Sequence, residues 1–192
     1  MALSFAGNGT ITGLSVGGLP DGCIASADIA SGVIPAGGKI LQVVSATKTD
    51  TATTTSTTFA DISGLSVTTG ALASTSSKVL ITVMGSGNGA PGADFASFRV
   101  LRGSTAVGVG GADGSRLQIG STMYENNSSA MDKYCFQFVD EPNSVSAQTY
   151  KVQWRLNSSS SYTIYLNRSS GDPNSTAGMR SISTISTMEI SA

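Results

Sequence analysis

Beyond residue 37 the chain is a succession of short runs in which apolar and polar positions alternate, each run closed by Gly, Ser, Asn, Asp or Pro. The clearest is 149–156, where Tyr150, Val152, Trp154 and Leu156 fall on one side of an extended segment and Lys151, Gln153 and Arg155 on the other. Successive strand residues point to opposite faces, so this period of two describes a strand with one face in a core and one in water. The same pattern predicts strands at 39–47, 57–62, 65–69, 78–84, 95–101, 105–109, 116–121, 133–139, 162–167 and 183–190. Turn-forming residues separate them, among them Ser63-Gly64, residues 85–92, Gly103-Ser104, residues 110–114 and Glu141-Pro142-Asn143. Short strands recurring roughly every 8–15 residues, with no helical period of comparable length, predict an all-β fold built as an antiparallel β-sandwich over 38–192.

The faces of these runs carry further information. Tyr134, Phe136 and Phe138 share one face, and placing their strand beside 149–156 predicts an aromatic layer that meets Trp154 inside the sandwich. Tyr162, Ile164 and Leu166 share a face and leave Tyr165 pointing outward. Two runs, Ile40-Leu41-Gln42-Val43-Val44 and Val79-Leu80-Ile81-Thr82-Val83-Met84, are apolar on both faces. One sandwich has a single interior, so a second apolar face predicts contact with other copies of the chain.

Residues 1–37 follow neither pattern. They hold Gly at 7, 9, 13, 17, 18, 22, 32 and 37, no Lys or Arg, and aliphatics too scattered for a helix or a regular strand. Such a segment has no core of its own, yet it is too apolar for a solvated linker. It is predicted to be an extended arm whose Ile11, Leu14, Val16, Leu19, Ile24 and Ile29 bury themselves against another surface.

Composition narrows the chemistry. Ser, Thr and Gly make up 75 of the 192 residues, charged residues only 12%, and there is no histidine. Histidine-based nucleophilic triads, imidazole zinc ligands and near-neutral histidine switches are therefore excluded. A hydrophobic fraction of 40% still supplies a core. The net charge is −1 and the eleven cations are spread singly, which predicts neither nucleic acid nor membrane as partner. No run approaches a membrane span, and the N-terminus lacks the charged and apolar regions of a signal peptide, so the expectation is a soluble protein made in a cytoplasm. Cys23 and Cys135 are expected to be free thiols.

Candidate catalytic groups are few. Asp140-Glu141 is the one adjacent carboxylate pair, but consecutive strand residues face opposite ways and Pro142 follows at once, which reads as a strand exit. Asp94 and Asp113 sit in Gly-rich turns without the spaced oxygen ligands of a calcium loop. The glycines of 85–89 are read as a plain loop, since no helix and no Lys-Ser/Thr follows them. Six of the eight asparagines lie in Asn-x-Ser/Thr, a consequence of Asn and Ser sharing polar turns. Neither an enzymatic role nor a cofactor or metal site is expected. Tyr124 and Tyr165 are candidates for stacking on a sugar ring.

Several stretches carry a resemblance. They are Gly37-Gly38-Lys39-Ile40-Leu41-Gln42-Val43-Val44, Thr58-Phe59-Ala60-Asp61-Ile62-Ser63-Gly64-Leu65, Ser76-Ser77-Lys78-Val79-Leu80-Ile81-Thr82-Val83, Phe98-Arg99-Val100-Leu101-Arg102-Gly103-Ser104, Tyr150-Lys151-Val152-Gln153-Trp154-Arg155 and Ser183-Thr184-Ile185-Ser186-Thr187-Met188-Glu189-Ile190. Together they resemble the small β-sandwich domains of tailed-phage virion proteins, especially those of phages infecting cyanobacteria. The resemblance implies a jelly-roll type of sandwich that assembles as a homotrimer on the virion surface. A short arm on a compact body fits a capsid decoration, or cement, protein that bridges major capsid subunits. The alternative is a tail-fibre or receptor-binding tip that recognises host-surface glycan through Tyr124 or Tyr165.

Overall fold

The computed structural model describes residues 4–5, 11–12, 38–89, 95–125, 127–157 and 162–192. The chain divides into two units, Met1–Ala36 and Gly37–Ala192. In the first, β1 (Ser4–Phe5) and β2 (Ile11–Thr12) pair antiparallel with Phe5 opposite Ile11.

The second unit is all-β among its described residues, with every strand pair antiparallel. One sheet contains β3 (Ile40–Lys48), β4 (Ala52–Thr54), β6 (Lys78–Asn88), β10 (Asp132–Asp140), β12 (Ile164–Leu166) and β13 (Ser183–Ile190). Its order is β3-β13-β6-β12-β4, and β10 lies on the other flank of β6. The second sheet contains β5 (Ala60–Thr68), β7 (Ala96–Arg102), β8 (Thr105–Val107), β9 (Ser121–Met123) and β11 (Thr149–Leu156), in the order β5-β11-β7 with β8 and β9 both on β7. The main strands alternate between sheets along the chain, so β5, β6 and β7 lie in opposite sheets in turn.

Alternating side chains from both sheets meet in one core. Val79, Ile81, Val83 and Ile185 enter from the first sheet, and Ile62, Val67, Phe98, Val100, Val152 and Trp154 from the second. The inward faces of β11 and β12 follow their sequence period: Tyr150, Val152, Trp154 and Leu156 are buried, as are Ile164 and Leu166, whereas Gln153, expected in water, is also buried, held between Arg99 and Asp61. The two sheets and their shared core give a sandwich-like architecture.

Five details depart from the sequence reading. Ser63-Gly64 does not separate two strands; it is a bulge within β5, where Gly64 takes a φ of 86° and the register against β11 shifts between Lys151 and Gln153. The glycines of 85–89 do not start a loop either, because β6 continues through Asn88. A Cβ on Gly87 would collide with the Tyr165 carbonyl oxygen, and one on Gly85 would collide with Ser183 Oγ and Tyr134, so these glycines let other groups close on an uninterrupted strand. The expected strand at 116–121 is displaced to β9, and the Thr-rich stretch after Lys48 supplies the unexpected β4. Finally, β10 and β11 are not neighbours in one sheet: β10 pairs β6, while β11 pairs β5 and β7. Tyr134 therefore stacks across the core on Phe98, with centroids 4.0 Å apart and planes 7° from parallel.

Two carboxylates are buried, and one of them ties the layers. Asp140, at the end of β10, accepts from Arg102 Nη1 at 2.6 Å and from the Tyr150 hydroxyl at 2.8 Å, joining the first sheet to β7 and β11 of the second. Burial first, then Asp140, raises the Tyr150 pKa above the ordinary phenol value. Glu189 points inward from β13 and is 1% exposed; its oxygens accept from Gln42 Nε2 at 2.6 Å and from the Ala73 amide at 2.7 Å.

Candidate interaction surface

The outward face of β10, β6, β13 and β3 is where the sequence pattern and the fold converge. Pairing register aligns their outward residues in three rows. Val139, Leu80, Met188 and Val43 form one row; Gln137, Thr82, Ser186 and Ser45 form the next; Cys135, Met84, Thr184 and Thr47 form the third. None of these twelve positions carries a charge. In the single chain Val43 is 56% exposed, Val139 51% and Met84 47%.

The local causes are plain in the strands. In β6 the odd positions Val79, Ile81 and Val83 are fully buried, so the period of two sends Leu80, Thr82 and Met84 outward. In β13 Ile185 and Thr187 are buried, which sends Ser186 and Met188 out. The middle row is polar without charge and partly satisfied within the sheet, with Gln137 Nε2 donating to Thr82 Oγ1 at 2.7 Å. Charge enters at the margins, where Lys78 pairs with Glu141 at 2.9 Å and where exposed Lys133, one row beyond Cys135, stands opposite Ser86. Apolar side chains flanking uncharged polar ones, with charge kept to the rim, is a composition that suits a protein–protein interface. At one end a shallow apolar cleft of about 390 Å³, lined by Met84, Cys135, Ile182 and Thr184 among others, opens beside the Tyr134 ring. Burial pushes the Tyr134 phenol up to about 12. Cys135 is a free, exposed thiol; Cys23 lies outside the described residues.

The other sequence candidates are dispersed. Ile11 belongs to β2, and Leu14, Val16, Leu19, Ile24 and Ile29 lie outside the described residues. Tyr124 follows β9, is 37% exposed, and leans against Phe95 with ring centroids 4.9 Å apart. Tyr165, in β12, is half-buried and has the Arg168 guanidinium 4.4 Å from its ring centre. Each tyrosine thus has its own aromatic or cationic partner. The carboxylates of Asp140-Glu141 do face apart: Asp140 is in its buried clamp and Glu141 in the rim pair with Lys78. Among the described residues no three of His, Cys, Asp and Glu gather as metal ligands.

The two-faced apolar runs 40–44 and 79–84 signalled this surface in the sequence. The rows themselves were hidden, because they depend on which strands pair and in what register. No family model matches the chain, and no curated protein matches it.

Proposed function

We propose that this chain is a bacteriophage virion structural protein, a trimeric capsid decoration protein of jelly-roll type that reinforces the head by bridging major capsid subunits. The observation that carries the reading is the uncharged face of β10, β6, β13 and β3. An uncharged face of apolar and hydroxyl rows has no charged complement; what fits it is another surface of the same kind, and further copies of this chain supply one. The jelly roll is supported by the strand order: the chain alternates between sheets, and β3 and β13 lie side by side. The number three comes from the resemblance to tailed-phage virion domains.

In this reading the arm's Ile11, Leu14, Val16, Leu19, Ile24 and Ile29 are the contacts with capsid or neighbouring protomers, and the protein acts without a catalytic group or cofactor. Its place is the virion surface. The exposed pair Phe95–Tyr124 favours a second reading, a fibre tip that stacks host-surface glycan on that aromatic ledge.

Quantitative mass spectrometry of purified particles separates the two. Hundreds of copies per particle are expected for a decoration protein, and a few to tens, as a tail fibre would show, overturn that assignment.

A further inference from the structure

The second sheet presents the opposite chemistry on its outward face. There β11 carries Lys151, Arg155 and the buried Gln153, with Arg99 of β7 and Asp61 of β5 opposite Gln153 on its two sides. Phe59, just before β5, lies against both arginines: the guanidinium carbon of Arg99 is 3.9 Å from its ring centre and that of Arg155 is 5.8 Å. Asp61 is already engaged, since its Oδ2 accepts from Lys151 Nζ at 2.7 Å and its Oδ1 from Gln153 Nε2 at 2.7 Å. The side of each guanidinium is also fixed. Arg99 Nε donates to Gln153 Oε1 at 2.9 Å, and Arg155 Nε donates to the Leu156 carbonyl at 2.8 Å.

Three cations therefore share this part of the sheet with a single carboxylate, and that carboxylate serves the lysine. Neither Arg99 nor Arg155 belongs to an ion pair among the described residues. Two like charges held on one ring repel each other; burial, and after it the charge of Arg155, lowers the Arg99 pKa below the ordinary guanidinium value. A protein-internal stack would be better served by one arginine, or by two with a carboxylate between them. Among the described residues no carboxylate pairs with either arginine.

We propose that Arg99 and Arg155, backed by Phe59, form a binding site for the carboxylate or sulfate group of an acidic polysaccharide. A guanidinium presents two parallel N–H donors that match two oxygens of either group, and a fork whose Nε is already tied down loses little freedom on binding. The ring gives the two forks a common apolar backing. Exposed Ser66 and Thr68 lie on the same face of β5 and offer hydroxyl partners to a sugar. A phosphodiester backbone is a poorer match: it requires a row of cations, and outside this cluster those of the chain are scattered. The site lies on the sheet away from the uncharged face, so it stands whether or not the chain decorates a capsid.

Isothermal titration of the full chain with three probes tests the site: an oligogalacturonate for the carboxylate, a heparin-derived tetrasaccharide for the sulfate, and neutral cellotetraose. One or both acidic probes are expected to bind, and a response to only one names the preferred anion. Affinity is expected to fall about tenfold or more in Arg99→Gln and in Arg155→Gln. It is also expected to fall steeply as salt rises from about 50 to about 500 mM. Asp61→Asn, which removes the competing carboxylate, is expected to tighten binding severalfold, a gain that a purely structural cluster would not produce. Unchanged melting temperature in Arg155→Gln, whose side chain is only half-buried, keeps folding out of the comparison. The proposal is overturned if cellotetraose binds as well as the acidic probes, if none binds, or if both arginine variants bind like the parent.

Discussion

Glu189 shows how one residue can couple this fold to pH. It sits in the last strand at a position whose period-two neighbours, Ile185 and Thr187, are buried, so the same alternation that makes the core also takes a carboxylate out of water. Burial alone would raise its pKa, but hydrogen bonds from Gln42 and the Ala73 amide outweigh it and hold the carboxyl below its ordinary value of 4.5. A folded-state pKa below the unfolded one gives stability that is fully present above about pH 4.5 and lost as pH falls through the folded value. Thermal melts between about pH 6 and 3 should therefore show the parent losing stability more steeply than Glu189→Gln, which has no carboxyl to protonate. At neutral pH Glu189→Ala should cost about 1–3 kcal/mol, because the Gln42 amide and the Ala73 N–H lose their acceptor. Equal slopes in parent and Glu189→Gln would remove Glu189 from the pH response.

At the scale of elements, the clamp at the end of β10 illustrates what holds the two sheets in register. Asp140 is 9% exposed and binds Arg102 of β7 and Tyr150 of β11 at once, so it fixes β10 against two strands of the facing sheet. Asp140→Ala would strand a guanidinium and a phenol in a poorly hydrated site. The expected loss is about 2–4 kcal/mol, less than for a wholly buried pair because Arg102 is a quarter exposed. Asp140→Asn, which still accepts from Tyr150, should lose less; urea denaturation of the two variants gives the comparison. This clamp also marks the limit of reading the sequence. Alternation identified β11 and the inward Tyr150, Val152, Trp154 and Leu156, because period-two patterning is local. It could not show that Asp140 meets Arg102, since that depends on which strands face each other. The same limit explains the misplaced aromatic layer: nothing local says that Tyr134 stacks on Phe98 rather than beside Trp154. Glycine misled for a different reason. At Gly64 it permits a bulge, and at Gly85 and Gly87 close approach, all within strands, whereas composition alone reads each as a turn.

For the molecule as a whole, the two outer faces divide the work between them. One sheet turns three uncharged rows outward, while the other holds Arg99 and Arg155 on the Phe59 ring beside the Lys151–Asp61 pair. Solvation keeps a cationic face available to solutes, whereas half-exposed Val43, Met84 and Val139 gain by being covered. A charge placed among them separates folding from assembly. In the isolated chain the side chains of Val43 and Met84 are about half exposed, so a lysine there reaches water and should change stability by no more than about 0.5 kcal/mol. In an assembly closed over this face the same ammonium would be buried without a partner, at a cost of several kcal/mol per contact. Val43→Lys and Met84→Lys should therefore melt like the parent yet sediment as monomers, while the parent sediments as a trimer. Ser66→Lys, on the outward face of the other sheet, should leave the trimer intact. A parent that sediments as a monomer at micromolar concentration, or lysine variants that remain trimeric, would mean that the uncharged face meets something other than a second copy of this chain.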